Sequence, residues 1–179
     1  MTRARAVTEA RPVTVALRWL DAITRAANLA GSGLILVLTV LVGTDVAGRT
    51  LFGAPLAGVP ELVRLGIVVI VFLQVPAALG AGRMARTRGF ADWLAARAPR
   101  PARALETLFD LVAVAVVWVI VAGSWPMLVR AWRRDEFEGA IGEFAVPVWP
   151  AKLALIVGGV LLMAQFAARI WRRHADPPA

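Results

Sequence analysis

Cysteine and tyrosine are absent from this 179-residue sequence, and histidine (His174), lysine (Lys152) and serine (Ser32, Ser124) are almost so. Without Cys there is no disulfide framework, no thiolate nucleophile and no Cys-bearing metal site, and one His cannot build the usual multi-His site. The sequence contains no Ser-His-Asp set, no H-E-x-x-H, no P-loop and no G-x-G-x-x-G. No enzyme activity is expected, and no cofactor or metal. Charge is sparse too: 18% of residues are charged against 59% hydrophobic, and the mean hydropathy is +0.70. A soluble chain of that make-up would aggregate, so lipid is the expected solvent for much of the surface.

What is present is apolar sequence in four long blocks. The fold class expected is all-α integral membrane: four transmembrane helices with amphipathic interfacial arm helices. The spans are placed at about 26–45, 62–80, 105–125 and 149–170, within a membrane domain 26–172 flanked by segments 1–25 and 173–179. At about 1.5 Å per residue such blocks cross most or all of a hydrocarbon core of about 30 Å. The first is longer than a signal-peptide core and lacks an A-x-A-like cleavage site, which predicts a retained signal-anchor helix. Ahead of it, Val13, Leu17, Leu20 and Ile23 recur at helical spacing, predicting an interfacial helix. Pro76 is expected to kink the second span, while Pro147 and Pro150 mark the start of the fourth. Between spans two and three, Phe90, Trp93 and Leu94 form one apolar face of a second surface arm. There is no internal repeat and no low-complexity segment.

The net charge of +8 raises the question of nucleic acid, but the cations are spread in a membrane-orientation pattern. Fourteen of the twenty Lys and Arg lie in the N-terminal segment, the middle loop and the tail, and six on the other side. The positive-inside rule therefore places both termini and the middle loop in the cytoplasm. Membrane lipids, not nucleic acid, are the expected counter-charge.

Ionisable residues at the edges of the spans are the candidates for function. Asp45 and Arg49 are four residues apart and Glu61 and Arg64 three, so each pair can share a helix face near the outer surface. Two readings stand side by side: interfacial charges satisfied by water and headgroups, or a patch that fixes the outer loop and docks a partner subunit. Glu106 and Asp110 enter span three beside Arg100 and Arg103 of the basic loop, which would neutralise them. Asn28, Gln74 and Gln165 are candidates for interhelical hydrogen bonds, and Ala27, Gly31, Gly158 and Gly159 for close helix approach. Trp19, Trp93, Trp125, Trp149 and Trp171 fall near proposed interfaces as headgroup-level anchors.

The order Asp45-Val46-x-x-Arg49-x-x-Phe52-Gly53-x-Pro55-Leu56, then Glu61-Leu62-x-Arg64 and a long apolar span, resembles the DctQ-type small permease subunit of the tripartite ATP-independent periplasmic (TRAP) transporters. Gly89-Phe90-x-Asp92-x-Leu94 in the middle loop and Pro147-x-Trp149 before span four extend the likeness over about residues 20–172. Two features depart from it: Gly58-Val59-Pro60-Glu61 stands where the family usually has W-x-x-E, and Arg86 and Arg88 stand where a His often follows span two. The resemblance carries over to Arg49, Glu61 and Arg64. It implies a non-catalytic subunit of the bacterial inner membrane that braces a large multi-span permease and helps dock a periplasmic solute-binding protein, for ion-coupled uptake of an organic acid. The alternative is a self-contained four-span channel or exporter acting as a homo-oligomer, which requires a polar pore face.

Overall fold

The computed structural model describes residues 2–82, 97, 99–140 and 144–175. In chain order its elements are α1 (Thr2–Phe52), α2 (Val59–Gly80), α3 (Pro99–Arg133), strands β1 (Phe137–Ala140) and β2 (Phe144–Pro147), and α4 (Trp149–Ala175). Each of the four helices contains a stretch long and apolar enough to cross a membrane. The surface arm expected around Phe90, Trp93 and Leu94 lies outside the described residues.

The first helix is uninterrupted: the segment expected to lie on the bilayer surface runs straight into the span, giving about 76 Å of helix at 1.5 Å per residue. Its contact face is one narrow stripe. Thr24, Gly31 and Asp45 are buried, with Leu17, Leu20, Ala27, Leu34, Leu38, Leu41 and Gly48 partly covered along the same stripe. Those positions alternate by three and four, the seam of a left-handed crossing. Ile23, expected on the apolar face, is half exposed; Thr24 takes the covered position.

The helices stand in a row, α1 against α2, α2 against α4 and α4 against α3, with a smaller α1–α4 contact. At the α1–α2 crossing, Gly31 sits beneath Gln74 and Gly66 beneath Leu38. The inner helix α4 turns Gly158 toward Phe72 of α2 and Gly159 toward Val121 of α3, so adjacent glycines serve its two neighbours. Leu79, Leu162 and Phe166 form the buried core, with Val75, Ala113, Val114 and Val117 packed around it. Pro76 lies fully buried inside α2, which continues through it to Gly80.

The acid-rich third loop folds into an antiparallel hairpin that the sequence pattern does not announce. Phe137 pairs with Pro147, Glu138 with Val146, Gly139 with Ala145 and Ala140 with Phe144. Asp135 starts it by ending α3 in the left-handed conformation (φ 45°), and the Glu136 N–H returns to the Ala131 carbonyl at 3.1 Å. This is the closing bond of a Schellman-type helix end, with Asp in the place glycine usually takes. The four-residue strands carry too little alternating hydrophobicity to announce themselves.

Candidate partner interface

The α1–α2 turn is built on one carboxylate. Asp45 is 7% exposed; its Oδ2 accepts a hydrogen bond from Arg49 at 3.1 Å, and its Oδ1 accepts the Leu56 backbone N–H at 2.8 Å. A second bond, from the Ala54 N–H to the Gly48 carbonyl at 3.2 Å, tightens the same return. Asp45 therefore folds the chain back between the helices, while Arg49, mostly exposed, remains at the surface. Asp45→Ala should cost about 2 kcal/mol, because it strands the Leu56 N–H and removes a charge-assisted bond. Faster amide exchange at residues 53–57 with the rest of the chain unchanged would check it; an unchanged Leu56 exchange rate would contradict it.

The second expected pair separates. Arg64 is bound by Glu138 of β1 instead of Glu61, so it ties α2 to the hairpin. Glu61 stands in the first turn of α2, where a carboxylate suits the helix dipole, and makes no ion pair among the described residues. A second tie joins Lys152 of α4 to Glu136 at 2.9 Å. The hydrogen bond and charge of Lys152 hold the Glu136 carboxyl below its ordinary pKa, against a smaller opposing effect of burial, with Arg130 and Arg134 adding to the lowering. The hairpin also closes over the turn: a Cβ on Gly58 would fall 1.7 Å from the Phe144 ring. Gly58 thus meets two demands, a φ of +82° and the space for that ring.

The opposite end carries a denser network. Arg173 of α4 donates to Asp110 at 2.9 Å and to Thr107 Oγ1 at 3.2 Å, and lies 3.0 Å from Glu106. Arg169 approaches Asp110 at 3.8 Å. The acids expected to be neutralised by Arg100 and Arg103 are thus bound by cations from α4; Asp110, 0% exposed, is the most enclosed charge described. Across the row, Gln165 donates to Asp21 Oδ1 and Thr24 Oγ1, both at 3.2 Å, and Arg172 reaches Asp21 at 2.8 Å. Of the three amides picked from the sequence, Gln165 makes the interhelical bond; Asn28 and Gln74 form none among the described residues.

These contacts give two pinned ends and, between them, broad apolar faces on the outer helices. Leu29, Leu36 and Val40 on α1 and Val116, Trp118 and Val119 on α3 are all more than half exposed. Leu51 and Phe52 extend the α1 face to the turn, Phe52 being 81% exposed. Among the described residues no cluster of His, Cys, Asp and Glu could hold a metal ion. The arrangement suits it to hold protein or lipid against a rigid edge.

Comparison with protein families matches residues 38–176, well over half of the chain, to the family described as tripartite ATP-independent periplasmic transporters, DctQ component. The match takes in all four candidate residues of the turn. Comparison with curated proteins finds no match.

Proposed function

The chain belongs to the DctQ component of the tripartite ATP-independent periplasmic transporters, as a small multi-pass membrane subunit, and from that premise we propose that it braces the large permease subunit in the bacterial inner membrane. In this reading the hairpin end faces the periplasm and helps dock the solute-binding protein. Both termini face the cytoplasm, where the excess of Arg would lie. The subunit contributes no catalytic step and no cofactor; the large subunit carries the ion-coupled uptake of an organic acid.

The observation that carries this reading is the open row of helices. A row leaves α1 with one covered stripe and α3 with one covered side, so both remain available to a partner. The polar groups argue against a pore of its own. Ser32, Thr39, Thr44 and Ser124 each donate to the carbonyl four residues back on their own helix, so among the described residues these hydroxyls do not supply an aligned polar face along the spans.

Mild-detergent purification should recover this chain with a large permease encoded beside it. Glu61→Arg should lower that recovery about tenfold, the effect of placing a repelling charge at an interface. Reporters fused at Arg88 and Asp135 should read cytoplasmic and periplasmic, respectively. Solute flux through vesicles holding this chain alone, or a Glu61→Arg complex of wild-type yield, would reject the reading.

A further inference from the structure

We infer that the groove between the hairpin ends of α3 and α4 binds one anionic phospholipid from the adjacent leaflet. Leu128, Val129, Trp132 and Arg133 of α3 and Trp149 and Leu153 of α4 line a groove of about 210 Å³. Its floor is apolar. Its upper wall is an edge-to-face pair, Trp132 against Trp149, with ring centroids 4.8 Å apart and planes at 76°.

Depth places the rim at the phosphates. From Leu111 to Val129 α3 has no charged residue, 19 positions or about 28 Å of helix, against a hydrocarbon core of about 30 Å. Asp110 closes that stretch at one end, already paired with Arg173. At the other end Arg130 and Arg133 emerge where hydrocarbon gives way to headgroups. The two Trp rings stand at the same level, as an aromatic belt does.

Charge then selects the headgroup. Arg130, Arg133 and Arg134 are exposed, and none makes an ion pair or side-chain hydrogen bond among the described residues. The nearby Glu136 accepts its hydrogen bond from Lys152 and feels Arg130 and Arg134 only through space. A zwitterionic lipid would bring an ammonium group into this cationic rim. A phosphatidylglycerol-like lipid would bring a phosphate to Arg133 and lay an acyl chain along Leu128, Val129 and Leu153.

The test uses the full chain in detergent micelles, titrated with brominated phosphatidylglycerol or brominated phosphatidylcholine while Trp fluorescence is read. Subtracting the signal of a W132F/W149F variant isolates the groove. Half-quenching is expected at about fivefold less phosphatidylglycerol than phosphatidylcholine, and R133Q should abolish the difference while R133K keeps it. Native mass spectrometry should find one phosphatidylglycerol retained on the wild type and lost from R133Q. Equal quenching by the two lipids, or unchanged lipid retention by R133Q, would overturn the inference. So would displacement by inorganic phosphate at concentrations comparable with the lipid, which marks a bare anion site. Loss of quenching when the large permease is bound would instead make the groove a subunit interface and defeat the lipid assignment, while supporting the bracing function.

Discussion

Asp110→Asn should destabilise the chain by about 3 kcal/mol, the low end for breaking a buried ion pair from one side. The carboxylate is fully enclosed and holds Arg173, itself mostly covered, at 2.9 Å. Removing it leaves a guanidinium in a poorly solvated seam between α3 and α4. The loss stays at the low end because Glu106, one helical turn away and partly exposed, keeps its own contact with Arg173 at 3.0 Å. The seam has a two-by-two design: Glu106 and Asp110 are four apart on α3, and Arg169 and Arg173 four apart on α4, so each pair presents one helix face to the other. Removing both members of the buried pair, as in D110L/R173L, should therefore cost less than the sum of the single changes, because neither charge is left alone. Unfolding in mixed micelles, followed by helical circular dichroism, measures all of these. A loss under about 0.5 kcal/mol for Asp110→Asn would show that the pair contributes little to holding the helices together.

The same seam shows where sequence reading succeeds and where it stops. Spans are legible because hydrophobic length is a property of consecutive residues, and the apolar blocks appear as α1 to α4 with more residues at several ends. The Asp45–Arg49 pair is legible because both partners share one helix turn. Glu61–Arg64 has equally suitable spacing, yet Arg64 turns to Glu138, 74 residues further along the chain. Local spacing shows which pairs are possible; a better-placed partner on another element decides between them. The i, i+4 repeats of acid on α3 and Arg on α4 are visible in the sequence as two charged faces that match across the α3–α4 seam. What they lacked was the order of the row, which brings those two helices side by side. The hairpin was hidden for a different reason: its position rests on Asp135 ending a helix, two salt links and one ring over Gly58, none of which leaves a periodic trace.

The sharpest steric prediction is at Gly158, and it follows from a proline on the neighbouring helix. Pro76 has no N–H, so the carbonyl four residues back, that of Phe72, loses its partner within α2. In lipid such a carbonyl must be satisfied by something close, since water is not at hand. Gly158 of α4 is what lies there: a Cβ at this position would fall 2.2 Å from the Phe72 oxygen and 2.7 Å from its carbonyl carbon. The missing side chain allows the glycine Cα–H to face the freed oxygen, the weak bond that recurs where helices cross closely. Gly158→Ala must push two backbones apart, and the loss should be about 3 kcal/mol in the same micelle assay. Gly159→Ala meets a Val121 methyl at 2.4 Å, a side chain that can yield partly, so its cost should be smaller. Gly33, Gly43 and Gly123 have nothing within 4 Å of a built Cβ; alanine there should be neutral or gain up to about 1 kcal/mol from helix propensity. A Gly158→Ala protein as stable as these three would mean that α2 and α4 do not cross at Phe72, and the row would have to be redrawn. If the clash is relieved by removing its cause, the double change P76A/G158A should recover part of the loss, because replacing the proline returns an N–H to the Phe72 carbonyl within α2.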